Sequence, residues 1–128
     1  ARTADAAVYL PGRNLLLVTA AAVLSARRRP ATIMIGILKG NPFGDATPRF
    51  FARLQACLSR MLGSSIRIET PLARMRKPAL IRSAPQAPLG LTFSCLNPRG
   101  RRHCGRCNKC AERRRAFRAA GVPDPARS

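Results

Sequence analysis

The sequence of 128 residues contains no tryptophan and a single tyrosine, and only five of its side chains are acidic. The scarcity of large aromatic rings leaves no clear stacking platform for nucleic-acid bases. Against the acids stand 24 lysine and arginine residues, of which only Lys39, Lys77 and Lys109 are lysines. The formal net charge of +19 predicts attraction to polyanions without saying which kind. We expect most of this basic surface to be solvated, and nucleic-acid binding is not the favoured interpretation.

The sequence also lacks a hydrophobic run long enough to span a membrane. Its longest apolar run, residues 15–24, is about half of the roughly 20 residues that a bilayer requires. Positive charge follows this run at Arg27–Arg29 instead of preceding it, which argues against a secretory signal. An odd number of cysteines at tight spacing favours a metal site in a reducing compartment over disulfides, so we expect a cytoplasmic protein. The first residue is alanine, and we expect further sequence upstream.

The first half of the chain has the pattern of alternating helices and strands. Apolar spacing over residues 15–24 predicts a helix, with Asn14 as its N-cap. Residues 31–38, ATIMIGIL, are typical of a strand that is buried on both faces of a parallel sheet. A second helix is expected to begin at Thr47 and to end at Gly63, with Cys57 in its buried face.

Residues 65–70 then alternate apolar and polar side chains, as a strand does. The order helix, strand, helix, strand predicts two neighbouring parallel strands joined by a crossover. Prolines after residue 70 indicate a connecting segment with a short helix over residues 76–82. A last helix is predicted over residues 108–121, ending at a glycine and followed by a loose tail.

The stretch HCGRCNKC carries the strongest chemical signal. Cys104, Cys107 and Cys110 are separated by two residues each, and Cys95 precedes them by nine positions. Four thiolates can close a tetrahedral shell around Zn²⁺, and Gly105 allows the tight turn that such sites need. A closed shell has no open position for water, so the predicted zinc is structural.

Two alternatives to zinc remain open. An iron–sulfur cluster of the ferredoxin type would need a further cysteine three residues after the last one, where an arginine stands. The cysteines could also be four unligated thiols. His103, next to Cys104, is expected to lie outside the ligand shell or to be exposed.

Several short motifs along the chain match one family of enzymes. The matched positions are Leu10, Pro11, Arg13, Asn14, Pro71, Leu72, Lys77, Leu91, Thr92, Phe93, Ser94, Cys95, Cys104, Gly105, Cys107, Cys110, Arg113, Ala116, Phe117, Ala120, Gly121, Asp124 and Pro125. Together these motifs resemble the C-terminal part of the 7-cyano-7-deazaguanine synthases, which belong to the PP-loop ATP pyrophosphatase superfamily. The resemblance covers nearly the whole chain.

The resemblance implies an enzyme of queuosine biosynthesis that adenylates 7-carboxy-7-deazaguanine with ATP. Ammonia displaces AMP, and the amide is dehydrated to the nitrile, preQ0, after a second activation. The resemblance further implies an open parallel α/β sheet of the adenine-nucleotide α-hydrolase (Rossmann-like) type, a structural zinc, ATP with Mg²⁺, and a homodimer. By this interpretation residues 1–90 belong to the α/β nucleotide-binding domain and residues 91–128 form the zinc-binding loop and terminal helix.

The sequence departs from the family in one important way. The Ser-Gly-Gly-x-Asp-Ser loop that grips pyrophosphate is absent from these 128 residues. The chain is therefore expected to be a fragment or to be inactive alone. Two alternatives stay open: a nonenzymatic zinc module that binds RNA or DNA, and a related PP-loop ligase or tRNA-modifying enzyme.

Ligands of open parallel sheets bind beyond the carboxyl ends of the strands. This rule and the resemblance select six candidate residues for substrate or nucleotide binding, namely Arg13, Asn14, Asp45, Lys77, Thr92 and Ser94. Lys39 and Asn41 are equally explained as solvated turn residues. The arginines at 113–115 are expected to form a solvated helix face. No catalytic residue is identifiable from the sequence.

Overall fold

The computed structural model describes residues 9–26 and 31–126. Within them the chain forms two compact units, residues 10–75 and a second unit that contains Tyr9 and the described residues from Arg76 onward. We call the first the sheet unit and the second the cysteine unit. The predicted division between residues 90 and 91 stays a prediction. In the described part of the chain no helix is long and apolar enough to span a bilayer.

The sheet unit contains helix α1 (Arg13–Ser25), strand β1 (Ala31–Met34), helix α2 (Pro48–Met61) and strand β2 (Ile66–Glu69). The strands pair in parallel, and Ala31 lies opposite Ile66. This confirms the predicted order and the parallel crossover. A one-turn 3-10 helix, Gly44–Ala46, precedes α2.

Helix α2 begins and ends where its sequence predicts. The Thr47 hydroxyl accepts the Phe50 N–H at 3.2 Å, and Pro48 occupies the first turn. Gly63 follows the helix with a φ of 54°, in the left-handed region that glycine tolerates. Residues 51, 54 and 58 face the core of the unit. Cys57 lies outside that stripe and is exposed, so its prediction as a core residue was wrong.

Two other expectations for the sheet unit were also wrong. Strand β1 ends at Met34, and its burial alternates along the strand, with Met34 70% exposed. In the described residues the strand is therefore covered on one face only. Asn14 is not the cap of α1, because the N-cap position is occupied by Gly12, which has no side chain that could accept a hydrogen bond. Residues 27–30, which follow α1 and separate it from β1, lie outside the described range.

The cysteine unit contains helices α3 (Lys77–Ser83) and α4 (Asn108–Ala120) and a 3-10 turn at Leu89–Leu91. Its small core joins Ile81 of α3 to the buried face of α4. Gly121 ends α4 with a φ of 68°, as the sequence predicts. The tail after it is not loose over its described length, because Val122 packs on this core and Asp124 is bonded to α4.

Candidate metal centre and its surroundings

Four cysteine sulfurs converge at the start of α4. The Sγ atoms of Cys95, Cys104, Cys107 and Cys110 all lie within 4.8 Å of one another. The separations are 3.4 Å for Cys107–Cys110 and 4.0 Å for both Cys104–Cys110 and Cys95–Cys107. Metal–sulfur bonds of about 2.3 Å in a tetrahedron place the sulfurs about 3.8 Å apart. The cluster could therefore hold one metal ion with little rearrangement.

The backbone around the cluster points N–H groups at the sulfurs. Cys104 Sγ accepts from Arg106 and from Cys107, both at 3.4 Å, across a turn in which Gly105 has a φ of 69°. Cys107 is the N-cap of α4, and its sulfur accepts the Cys110 N–H at 3.4 Å. N–H donors of this kind favour the thiolate form, which is the form that binds metal.

The pKa values of the thiols differ according to their surroundings. Hydrogen bonds from the backbone, first from Leu96 and then from Cys110, lower the pKa of Cys107 to about 6 against the cost of burial. The pKa of Cys104 is lowered mainly by the N–H of Arg106. Burial and neighbouring thiols raise the pKa of Cys110 to about 12. A divalent cation would lower the pKa of Cys110 as well as those of the other thiols, because it stabilises every thiolate that it binds.

His103 is buried beside the cluster, not exposed. Its Nε2 accepts the Ser94 N–H at 3.1 Å, and its ring stacks on Phe93 with centroids 4.4 Å apart. The Cys104 N–H meanwhile donates to Cys95 Sγ at 3.2 Å. His103 thus fastens the segment before the first cysteine to the loop that carries the others.

In the cysteine unit, the prediction that Arg113 lies on a solvated helix face was wrong. Arg113 is buried, with a relative exposure of 7%, whereas Arg114 and Arg115 are exposed as expected. Its guanidinium lies 4.8 Å from the Phe117 ring centroid, over the ring face. Residues 110, 113, 116, 117 and 120 share the buried face of α4. Helical periodicity from Cys110 was the signal that could have placed Arg113 inside.

The bonds of Arg113 also define the role of Thr92. Arg113 Nη1 donates to Thr92 Oγ1 at 2.6 Å and to the Thr92 carbonyl at 3.1 Å, and Arg113 Nη2 donates to the Leu89 carbonyl at 3.1 Å. The Thr92 hydroxyl donates to the same Leu89 carbonyl at 2.6 Å. The hydroxyl hydrogen of Thr92 is therefore used within the unit.

Lys77 begins α3 and forms an ion pair with Glu112 of α4. Lys109 also pairs with Glu112, at 2.9 Å. Burial raises the pKa of Glu112, but the bonds from the two lysines outweigh it and leave the pKa lowered. The Lys77 side chain remains 44% exposed, so its ammonium can still meet a ligand from solvent.

In the sheet unit, Asn14 and Asp45 are brought together. Asp45 Oδ2 accepts the Asn14 backbone N–H at 3.0 Å, and the Asn14 amide donates to the Asp45 carbonyl at 3.1 Å and to Oδ1 at 3.3 Å. Asp45 thus supplies from a distant loop the acceptor that the α1 N-terminus lacks. Arg13 is exposed beside this pair, on the same helix.

The segments that leave the strands of the sheet unit lie next to each other. The Lys39 N–H donates to the Met75 carbonyl at 2.9 Å. The Asn41 side chain accepts the Phe43 N–H at 3.0 Å, so it is used within its own turn. The candidate residues Arg13, Asn14 and Asp45 belong to this unit, and Lys77, Thr92 and Ser94 belong to the cysteine unit.

A βαβ sheet unit and a second unit with four clustered cysteines that could hold a metal ion define the class of this α/β protein. A family model described as "Queuosine biosynthesis protein QueC" matches residues 2–121, and the chain belongs to that family.

Relatives named 7-cyano-7-deazaguanine synthase are similar over most of this chain. The protein of Rhizobium leguminosarum bv. trifolii is 33% identical over 125 residues, which are 93% of this chain and 52% of the relative. That of Leptospira biflexa is 34% identical over 129 residues, covering 92% and 52%. That of Agrobacterium fabrum is 34% identical over 122 residues, covering 91% and 51%. The chain thus spans about half the length of the curated relatives it matches.

Proposed function

We propose that this chain is the metal-binding C-terminal part of a 7-cyano-7-deazaguanine synthase, a carbon–nitrogen ligase. The reaction is the ATP-dependent conversion of 7-carboxy-7-deazaguanine and ammonia to 7-cyano-7-deazaguanine in the cytoplasm. The observation that carries the proposal is the four-cysteine cluster within a region that matches the family over residues 2–121.

The metal of this proposal is zinc. Four sulfur ligands with these separations suit tetrahedral Zn²⁺. Because all four positions are taken by protein, the ion would hold the loop after Cys95 to the start of α4 and would not activate substrate. The zinc therefore contributes folding free energy to the cysteine unit.

ATP and Mg²⁺ would be bound mainly outside these 128 residues, which contain no Ser-Gly-Gly-x-Asp-Ser loop. The two parallel strands would then be part of a larger Rossmann-like sheet, and the assembled enzyme would be a homodimer. Within this chain Lys77 is the favoured ligand for an anionic intermediate, because its side chain is partly exposed. Asn14, Asp45, Thr92 and the Ser94 N–H are engaged in internal bonds, so each would act by positioning the loop of its own unit.

A chimera tests the proposal. Residues 2–121 replace the matching half of the Rhizobium leguminosarum relative, and AMP and nitrile formation are measured with 7-carboxy-7-deazaguanine, ATP and ammonia. We expect turnover by the chimera and none by the 128-residue chain alone. Lys77→Gln in the chimera should lower turnover, while Lys39→Gln, which removes the same charge from an exposed turn, should change it little.

A folded, zinc-loaded chimera that forms no AMP would contradict the assigned activity. Turnover by the chain alone would contradict the requirement for a phosphate loop elsewhere. Equal activity of the two lysine variants would show that Lys77 does not bind the intermediate, but it would not contradict the ligase activity.

A further inference from the structure

The cysteine unit has a large excess of unneutralised positive charge. Its described residues include 12 lysines and arginines and only two acids. Both acids are already in ion pairs, Glu112 with two lysines and Asp124 with Arg113. The remaining cations of the described unit are arginines without a carboxylate within ion-pair distance, listed as Arg76, Arg82, Arg99, Arg101, Arg102, Arg106, Arg114, Arg115 and Arg118.

Three of these arginines are displayed on one tight turn, residues 99–102, which we call the arginine turn. The backbones of Arg99 and Arg102 exchange two N–H···O bonds of 3.1 Å, and Gly100 between them has a φ of 59°. The side chains of Arg99, Arg101 and Arg102 are exposed. The turn lies between Cys95 and Cys104, so a metal bound to the cluster closes the loop at both ends. Guanidinium groups held on such a loop suit bidentate bonding to phosphate.

A cavity of about 450 Å³ opens beside the arginine turn. It is lined by Arg101, Thr92, Phe93 and His103, and by the aliphatic side chains of Leu91 and Pro125. Phe93 is 53% exposed although its ring stacks on the buried His103. An exposed ring that is backed by a second ring is a rigid platform for another flat group. The volume is within the range of small-molecule pockets and can take one nucleobase.

We propose that the arginine turn and Phe93 bind single-stranded nucleic acid. The arginines contact successive phosphates, and one unpaired base enters the cavity and stacks at Phe93. A duplex fits less well, because its bases are paired and cannot enter the cavity. An anionic lipid headgroup can form ion pairs with the arginines, but it has no ring that could stack on Phe93. This binding is independent of ATP chemistry and goes beyond the ligase activity.

The first experiment measures binding of the zinc-loaded 128-residue chain to a fluorescent 15-nucleotide oligo(dT) and to oligo(U) by anisotropy, between about 50 and 200 mM salt. The variant Arg99→Gln/Arg101→Gln/Arg102→Gln is compared with Arg49→Gln/Arg53→Gln/Arg60→Gln, which removes the same charge from exposed positions on α2. Losing three phosphate contacts should make the log–log salt slope shallower by about two for a single strand. The α2 variant should keep most of the slope.

The second experiment isolates the stacked base. Phe93→Leu should weaken binding at least about fivefold, whereas Phe93→Trp should retain it. Neither substitution should matter for an abasic strand with the same number of phosphates. Zinc content and helicity of each variant are measured first, so that a misfolded protein is excluded.

Equal loss of affinity in both arginine variants would overturn the proposal, since net charge alone would then explain binding. Tighter binding to duplex of equal charge, or to vesicles containing phosphatidylserine, would overturn the choice of single strands. A Phe93→Leu variant that binds like the unaltered chain would overturn the stacking site.

Discussion

The guanidinium of Arg113 is fixed on both carboxylate oxygens of Asp124. Nε donates to Oδ2 at 2.9 Å and to Oδ1 at 3.0 Å, and Nη2 donates to Oδ1 at 2.8 Å. The remaining N–H groups reach the Thr92 and Leu89 carbonyls. One buried side chain on α4 therefore joins the segment before the cysteines to the segment after the last helix.

We predict that Arg113→Ala strongly destabilises the cysteine unit. Its loss leaves the partly buried Asp124 carboxylate without its charged partner and the Thr92 carbonyl without the guanidinium donor, which costs about 3 kcal/mol. Arg115→Ala on the exposed face of the same helix should change the free energy of unfolding by less than about 0.5 kcal/mol. Urea unfolding of the zinc-loaded proteins measures both. Similar stabilities of the two variants would show that the Arg113 network adds nothing to the fold.

The same ion pair predicts a pH dependence. Burial raises the pKa of Asp124, but the Arg113 bonds and the Ala126 N–H outweigh it, so the net pKa is lowered. The unfolded chain then binds more protons than the folded one below the ordinary aspartate pKa of about 3.9. The stabilisation is full above that pH and is lost as the pH falls through the lowered pKa.

The measurement compares the free energy of unfolding of the unaltered chain with that of Asp124→Asn at several pH values. Subtracting the two removes the effect of zinc release, which is common to both proteins. We expect a constant difference from pH 7 down to about pH 4 and a shrinking difference below it. A difference that disappears near neutral pH would argue against a lowered pKa.

We predict that Asp45 stabilises the sheet unit through α1. Asp45→Ala removes the acceptor of the Asn14 N–H and should cost about 1 kcal/mol, the usual value of a helix N-cap. Glu69→Ala is the control, because its carboxylate is 3.8 Å from Arg67 in an exposed pair that is worth less than about 1 kcal/mol. Thermal unfolding compares the two. A smaller effect at Asp45 than at Glu69 would contradict a capping role.

We predict that the five thiols divide into one free group and four metal-bound groups. Cys57 is exposed and should react at once with Ellman's reagent, and Cys57→Ser should abolish that fast phase. The other thiols should react only after a zinc chelator is added. Metal analysis should give one zinc per chain with no visible absorption band. Bound iron with strong absorbance near about 400 nm would indicate an iron–sulfur cluster instead.

Local signals explain why most elements could be predicted. The start of α2 is marked by Thr47 and Pro48, because the Thr47 hydroxyl accepts a backbone N–H of the first turn. The ends of α2 and α4 are marked by glycines at 63 and 121, whose positive φ stops the helix. The spacing of Cys104, Cys107 and Cys110 likewise indicated a metal site, since the ligands of one turn are set by neighbours in the chain.

The errors concern residues whose partners are far away in sequence. Asn14 is of a residue type that is common at helix N-caps, but its side chain bonds to Asp45, 31 positions later. Arg113 lies in an arginine run that suggests a solvated face, yet Asp124 neutralises its charge inside the unit and Thr92 accepts a hydrogen bond from it. Cys57 seemed apolar enough for the core, but the rotation of α2 against the sheet leaves it outside.

The sequence by itself determined the limits of α2 and α4, the parallel strand order and the grouping of four cysteines, because each depends on short spacings and on backbone preferences. Tertiary structure alone decided which charged groups are buried, where the exposed Phe93 ring lies and which candidate binding residues are already used in internal hydrogen bonds. The physical reason is that a charge can be buried, and a hydroxyl can be hydrogen-bonded, only when packing brings a suitable partner close. Arg113 and Arg115, two positions apart on α4 and opposite in environment, illustrate that division.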